Sequence, residues 1–182
     1  MIASLLKTLF GDKSTKERKE YQPIIDKSNA LFAEFQSLTD DQLRGKTAGF
    51  KAQIHEATKE LENEIANLKE KANDLAISVD EKERIFEKID GLDKEVNEAI
   101  EAILLTILPD AFAVIKETAR RWAENGKLEV KAQDFDKELA SKKDGITISD
   151  DKAIWANEWT AAGTPVRWTM VHYDVQLMGG AV

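Results

Sequence analysis

Two long apolar stripes at helical spacing fill the middle of this chain and limit the folds open to it. One lies within residues 54–75 and the other within residues 85–104. Steps of three and four residues predict amphipathic helices, and Glu and Lys occupy the outward positions. Ser78 and Glu81 form a helix-start signal between the stripes, so we expect an antiparallel αα-hairpin. The stripe residues are Ile54, Leu61, Ile65, Leu68, Ala72 and Leu75, then Ile85, Ile89, Leu92, Val96, Ile100, Ile103 and Leu104. Such stripes are either an internal seam or a docking surface.

Further helices are predicted on both sides of this hairpin. Pro23 lies near the start of a helix or at a kink within it. Thr39 and Gln42 have the spacing of a capping box, which marks the start of the next helix. Pro109 is placed as the first-turn residue of another helix, and Gly126 as the residue that ends it.

The N-terminus carries a short amphipathic pattern with basic residues around it. Residues 1–20 contain five Lys or Arg and three Asp or Glu, whereas the whole chain has a net charge of −8. Such a segment is typical of a helix that lies on an anionic membrane surface, and a helix packed on its own domain or on a partner gives the same pattern. The candidate membrane-surface residues are Leu5, Leu6, Leu9, Phe10, Lys7 and Lys13.

The periodicity changes from helical to alternating after residue 126. A short helix is expected around Asp134–Ala140, followed by strands near Ile146, Trp155 and Val166. This pattern predicts a small antiparallel β-meander. Three of the four Trp residues fall in it, and their role is either core filling or ligand stacking.

Composition excludes several classes of function. The chain has 182 residues and no Cys, so disulfides and zinc–thiolate sites are ruled out. An acidic body disfavours general nucleic-acid binding. No apolar run approaches the roughly 20 residues that span a bilayer, and the N-terminus lacks a signal-peptide pattern. We predict no metal site and no catalytic residue.

Three blocks of the sequence together resemble one family. They read L-T-D-D-Q-L-R-G-K-T at 38–47, I-L-P-D-A-F-A-V-I-K-E-T-A-R-R at 107–121 and M-V-H-Y-D-V-Q-L-M-G-G at 170–180. In this order they resemble the preprotein translocase ATPase SecA, whose adenine-recognition motif matches the last block. Two intervening stretches, about 55–102 and 122–169, resemble insertions relative to the family.

The resemblance implies three nucleotide-binding residues. The side-chain amide of Gln176 matches the family residue that pairs with adenine, Tyr173 stands where the family has Phe, and Met170 matches the Met at the base pocket. Val171 departs from the usual Arg, which removes the polar contact of that position.

The resemblance also implies what the whole protein does. It implies an ATP-driven motor with four kinds of partner: the membrane protein-conducting channel, an anionic membrane surface, unfolded preproteins and a second copy of the motor. Such a motor is cytoplasmic, peripheral at the inner face of the bacterial plasma membrane. No G-x-x-x-x-G-K-[ST] loop occurs in this sequence, so we expect an N-terminal fragment with neither ATPase activity nor bound nucleotide of its own.

The expected fold is mainly α with a small antiparallel β-meander and a long αα-hairpin insertion, and it ends at the start of a P-loop-type α/β motor domain. Its predicted segments are an amphipathic helix at 1–11, a helical segment at 12–54, the hairpin insertion at 55–102, a helix at 103–126, an α+β insertion at 127–169 and the adenine motif at 170–182. The alternative is a non-enzymatic helical coiled-coil interaction module that binds no nucleotide.

Overall fold

The computed structural model describes the backbone of residues 13–181 and the side chains of residues 19–181. The N-terminal amphipathic helix and its candidate residues, from Leu5 to Phe10, lie outside this range, as does the side chain of Lys13. Five helices are described: α1 (Lys13–Phe35), α2 (Asp40–Ala72), α3 (Val79–Asn125), α4 (Asp134–Ala140) and α5 (Asp174–Ala181). The chain divides into two compact units, of which the second is Thr47–Leu108 and the first contains the remainder.

The second unit is built from the C-terminal part of α2 and the N-terminal part of α3. Its apolar residues form one cluster, and Lys88 Nζ contacts Glu64 Oε1 at 2.5 Å across the two helices. The side chain of Ser78 accepts a hydrogen bond from the backbone N–H of Glu81 at 3.3 Å, so the signal expected between the stripes does start α3. The buried members of the cluster are Ile65, Ala72, Ile85, Ile89 and Leu92, with Leu61, Leu68, Ile77 and Val96 packed against them.

The prediction that Leu75 and Leu104, at the ends of the two stripes, face the apolar cluster was wrong. Leu75 is 94% exposed because α2 ends at Ala72, so this leucine follows the helix rather than facing its seam. Leu104 is 45% exposed although it was placed in the second stripe. The expectation that Pro109 opens a separate helix was also wrong, because Pro109 lies inside α3, a single helix of 47 residues. Proline removes one backbone hydrogen bond, but an apolar repeat that continues on both sides favours an unbroken helix.

The core of the first unit lies where the end of α1, the start of α2 and the later part of α3 meet. Phe35, Leu43 and Ala113 are buried there. The predicted capping box is present at the start of α2: Thr39 N–H donates to Gln42 Oε1 at 2.9 Å, and Gln42 N–H donates to Thr39 Oγ1 at 3.2 Å. Gly126 follows the last residue of α3 with a positive φ of 73°, as expected of a helix-ending glycine.

Within residues 13–181, five short strands form two antiparallel sheets in place of the single predicted meander. The first has the order β1-β3-β2, from β1 (Lys127–Lys131), β2 (Ile146–Ser149) and β3 (Lys152–Ala156). The second pairs β4 (Glu158–Ala161) with β5 (Thr164–Arg167). The predicted α4 has the expected bounds. Strand β1 was missed, although Leu128 and Val130 alternate with charged residues in it.

The outer edge of β1 is covered by carboxylates from the start of α2. The backbone N–H of Glu129 donates to Asp40 Oδ2 at 3.0 Å, and that of Lys131 donates to Asp41 Oδ1 at 2.8 Å. These two backbone N–H groups of β1 point away from β3 and make no hydrogen bond to it. The acidic first turn of α2 therefore stabilises its own helix and closes a sheet edge.

Candidate nucleotide-recognition surface

The segment 170–180 runs extended as far as Tyr173 and then forms α5. Gln176 lies in the first turn of this helix, where its Oε1 accepts a hydrogen bond from the backbone N–H of Tyr173 at 2.8 Å. The bond fixes the orientation of the amide, and Oε1 keeps a second lone pair. Both residues are exposed, Tyr173 to 72%. Two of the three predicted residues therefore lie side by side on the surface with a fixed relative geometry.

Asp174, between these two residues, attaches the start of α5 to two other helices. Its Oδ1 accepts hydrogen bonds from Asn29 Nδ2 at 3.1 Å and from Lys116 Nζ at 3.2 Å. Lys116 also donates to Asn29 Oδ1 at 2.7 Å, which closes a triangle between α1, α3 and α5. The hydrogen bond from Asn29 and the charge of Lys116 hold the pKa of Asp174 below its ordinary value.

Apolar contacts also fasten α5. Leu177 is only 4% exposed. Gly180 faces the ring of Phe112 so closely that a Cβ added to it would lie 3.5 Å from Phe112 Cζ. The burial of Leu177 and the Asp174 triangle fix this helix in place, so Tyr173 and Gln176 lie on a rigid support.

Met170, the third predicted residue, lies on the extended segment before α5 and is 40% exposed. Its carbonyl accepts a hydrogen bond from Trp168 Nε1 at 2.7 Å. His172 was assigned no role, and its Nδ1 is buried without a partner among the described residues. The imidazole lies 5.9 Å from the ring of Trp168, and both rings line a cavity of about 270 Å³ with Trp122.

Sequence reasoning missed the two buried carboxylates of the first unit. Asp136 is fully buried and accepts two hydrogen bonds from Arg44, Nη1 to Oδ2 at 2.9 Å and Nη2 to Oδ1 at 3.0 Å. The backbone of Gln133 and Nε1 of Trp155 also donate to it. Burial raises the pKa of Asp136, but the bonds from Arg44 and Gln133 outweigh burial and leave the pKa below its usual range.

Glu117 is the second such carboxylate, and it orients Arg121, which links α3 to the turn between α1 and α2. It accepts hydrogen bonds from Arg120 and, at 2.7 Å, from Arg121 Nε. Arg121 also donates to Asp40 at 2.6 Å and to the carbonyl of Leu38 at 2.7 Å. Burial raises the pKa of Glu117, and the two arginines lower it to a value below the ordinary one. The spacing E-x-x-R-R within the second matched block was the available signal.

Neither carboxylate is arranged for acid–base chemistry, because each is held in its ionised form by arginine. Within residues 19–181, no cluster of three His, Asp or Glu side chains has an arrangement that holds a metal ion. None of the helices described is both long and apolar enough to cross a bilayer.

Comparison with known proteins defines the class. The family model of the SecA DEAD-like domain matches residues 6–182. Curated relatives carry the description "Protein translocase subunit SecA". The one from Christiangramia forsetii is 51% identical over 98% of this chain, and the one from Phocaeicola vulgatus is 47% identical over 96%. The one from Flavobacterium psychrophilum is 45% identical over the whole chain. No solved structure matches.

The chain therefore belongs to the SecA family of protein translocase subunits. It spans 16% of the length of each of these relatives. The helical fold with small antiparallel sheets agrees with part of a DEAD-like domain.

Proposed function

We propose that this chain forms the adenine-binding side of an ATP-driven motor that moves unfolded preproteins through a membrane channel. The observation that carries the proposal is the hydrogen bond between Tyr173 and Gln176 at the exposed start of α5. Hydrogen bonds that Asp174 accepts from α1 and α3 hold the same turn in place. Family membership supports the same reading, because the surface coincides with the block that resembles the family's adenine motif.

The chemistry of Gln176 fits an adenine base. Oε1 can accept from the exocyclic amino group, since the bond from Tyr173 uses only one of its lone pairs. Nε2 has no acceptor among the described residues and is available to donate to a ring nitrogen. The exposed ring of Tyr173 offers a stacking face, and Met170 an adaptable apolar contact. Because the amide is already oriented, little conformational entropy is lost when the base binds.

ATP hydrolysis needs groups that this sequence does not contain. There is no phosphate-binding loop, and we assign no catalytic residue to this chain. Base contacts alone leave the charge of the triphosphate uncompensated, so the chain by itself is proposed to bind ATP at most weakly and to hydrolyse none.

We propose the remaining organisation from the family and from packing. Residues 55–102 form a self-supporting helical hairpin insertion, whose two helices share the apolar cluster of the second unit. Residues 127–169 form an α+β insertion around the two small sheets, and residues 170–182 begin the motor domain. Leu5, Leu6, Leu9, Phe10, Lys7 and Lys13 contact an anionic membrane surface, which places the whole motor at the inner face of the plasma membrane. Its other proposed partners are the protein-conducting channel, unfolded preproteins and a second copy of the motor.

The test compares ATP and GTP affinities in a full-length SecA chain that carries this segment. Gln176→Glu keeps the oxygen that accepts from Tyr173 but loses the amide donor, so the helix start is preserved while the base contact is lost. We expect ATP affinity to fall by a factor that corresponds to roughly 1–3 kcal/mol, and the preference for ATP over GTP to disappear.

Two further variants complete the test. Tyr173→Ala should weaken ATP and GTP alike, because stacking does not depend on the edge of the base. Val175→Ala is the matched control, since Val175 is 72% exposed on the same helix turn and has no proposed contact. Equal losses for ATP and GTP in Gln176→Glu, or a loss of the same size in Val175→Ala, would overturn the adenine assignment.

A further inference from the structure

The first unit contains a cavity of about 570 Å³. None of the residues that line it belongs to the candidate nucleotide-recognition surface. Three indole rings line the cavity, those of Trp122, Trp155 and Trp159. This volume is in the range of small-ligand and side-chain pockets, which are lined mainly by apolar and aromatic groups.

The polar groups of the cavity wall are mostly satisfied by the protein itself. Trp122 Nε1 donates to the carbonyl of Trp155 at 3.1 Å, and Trp155 Nε1 donates to Asp136. Trp159 Nε1 has no acceptor within residues 19–181. The indoles therefore offer apolar ring surface and a single free donor.

The charged residues at the rim of the cavity do not favour the binding of a charged ligand. Lys142 pairs with Glu138 at 2.6 Å, and Glu158 pairs with Arg167 at 2.7 Å. Lys143 and Asp144, the other two charged lining residues, are adjacent and of opposite sign. Because these charges cancel, the occupant that fits is an uncharged group with a bulky apolar part.

Strand β4 forms one side of the cavity and leaves backbone groups unpaired. Ala162 and Gly163 have positive φ values of 49° and 78°, the geometry of a two-residue hairpin turn. In such a hairpin Ala161 and Thr164 are a hydrogen-bonded pair, so the N–H and C=O of Thr160 point away from β5. All four residues of β4 are exposed.

The other sheet edges are less open than this one. Asp40 and Asp41 cover the edge of β1, and α4 lies against β2. Pro165 removes an N–H from β5. A free edge groove beside an apolar pocket is the arrangement by which proteins bind extended peptides: the backbone pairs with the edge and one side chain enters the pocket.

We propose that the edge of β4 and the indole cavity together bind an extended, uncharged polypeptide segment, with one bulky apolar side chain between Trp159 and its neighbours. Gly145 holds the rim in position. Its φ is +86°, and a Cβ at this residue would lie 2.8 Å from the carbonyl oxygen of Glu158, so only glycine allows the loop this close to β4. The proposal concerns a different surface from the adenine site and does not depend on it.

The test uses the 182-residue chain and a short, uncharged, fluorescein-labelled peptide in which Leu and Phe alternate with Ser. We expect saturable binding by fluorescence anisotropy and a change in tryptophan emission. Trp159→Ala should weaken binding about tenfold or more, since a buried aromatic contact is lost. Phe135→Ala is the matched control, because Phe135 is also an exposed aromatic residue, at 59% against 37% for Trp159, and lies outside the cavity lining.

A second peptide tests the strand edge without altering the protein. It has the same sequence with N-methyl groups on alternate backbone nitrogens, which prevents pairing with β4, and it is made in both registers. Loss of binding in at least one register supports the proposal. Absence of binding by the unmodified peptide, equal binding by Trp159→Ala, or full binding by both methylated peptides overturns it.

Discussion

Arg44 and Asp136 form a two-point ion pair between α2 and α4, with N–O distances of 2.9 and 3.0 Å, although 92 residues separate them in sequence. The carboxylate is fully buried and the guanidinium side chain is 26% exposed. The pair fixes α4 against the start of α2 and orients the carboxylate for the indole N–H of Trp155. Its removal leaves a buried charge without its counter-ion.

Arg44→Ala is accordingly expected to lower the free energy of unfolding of the first unit by about 3 kcal/mol, and Arg44→Lys by less, because lysine keeps the charge but not the two-point geometry. All four Trp residues lie in this unit, so tryptophan fluorescence in a urea titration reports its unfolding selectively. The control is Lys142→Ala, which breaks an exposed pair with Glu138 and should cost less than about 1 kcal/mol. Similar losses in both alanine variants would contradict the argument.

Acid should destabilise the first unit by protonating its two buried carboxylates, Asp136 and Glu117. The folded-state pKa values of Asp136 and Glu117 both lie below their ordinary values of about 4. Their contribution to stability is therefore complete above the unfolded-state pKa and is lost as the pH falls through the folded-state pKa. We expect the urea midpoint measured by tryptophan fluorescence to decrease steadily below about pH 4.

Asp136→Asn provides the comparison for this pH dependence. The variant should be less stable at pH 7 and should lose less further stability on acidification, because one of the two titrating groups is gone. An acid dependence as steep as that of the unaltered chain would show that other carboxylates control it.

The apolar cluster of the second unit can be tested with two leucines. Leu68 packs against the cluster, whereas Leu75 is 94% exposed beyond the end of α2. Leu68→Asp should melt this part of α2 and α3, because an unpaired charge in an apolar contact is costly, and Leu75→Asp should have almost no effect. Helicity by far-UV circular dichroism is the measurement, and the tryptophan signal of the first unit should persist in both variants. Unchanged helicity and melting in Leu68→Asp would mean that the two helices do not depend on each other.

The membrane-surface proposal for residues 1–11 predicts weak, salt-sensitive binding to anionic vesicles. Leu5, Leu6, Leu9 and Phe10 would insert, and each basic residue near the surface contributes about 1 kcal/mol. Deletion of residues 1–11 should abolish co-sedimentation with vesicles that contain phosphatidylglycerol. Zwitterionic vesicles are the control and should bind the intact chain far less. Identical partitioning of the intact and shortened chains would remove these residues from the membrane contact.

Features fixed by neighbouring residues were predicted well from the sequence. The capping box of Thr39 and Gln42 and the bounds of α4 depend on contacts within a few positions, and the structure has both. The same is true of Gly126 at the end of α3. In each case the signal is local chemistry that the fold does not override.

Features that depend on distant parts of the chain were predicted poorly. Nothing near Arg44 indicates that its partner is Asp136, because the contact exists only once α2 and α4 are packed. Pro109 was given its usual preference for a helix start, yet it lies inside a helix of 47 residues. For the candidate nucleotide-recognition surface, the block at 170–180 indicated Gln176 as a candidate, but not the way Asp174, Lys116 and Asn29 hold the start of its helix.

The two carboxylates at the start of α2 have a consequence for solubility. Asp40 and Asp41 occupy the outward amides of Glu129 and Lys131 in β1, so a strand from a second molecule cannot pair with these two donors. These bonds form only when α2 is docked, which means that chains still folding expose this edge along with Leu128 and Val130. A chain in which β1 had formed before α2 docked would therefore expose these amides to a second copy, so the rate at which α2 docks bears on self-association in a way that final stability does not measure.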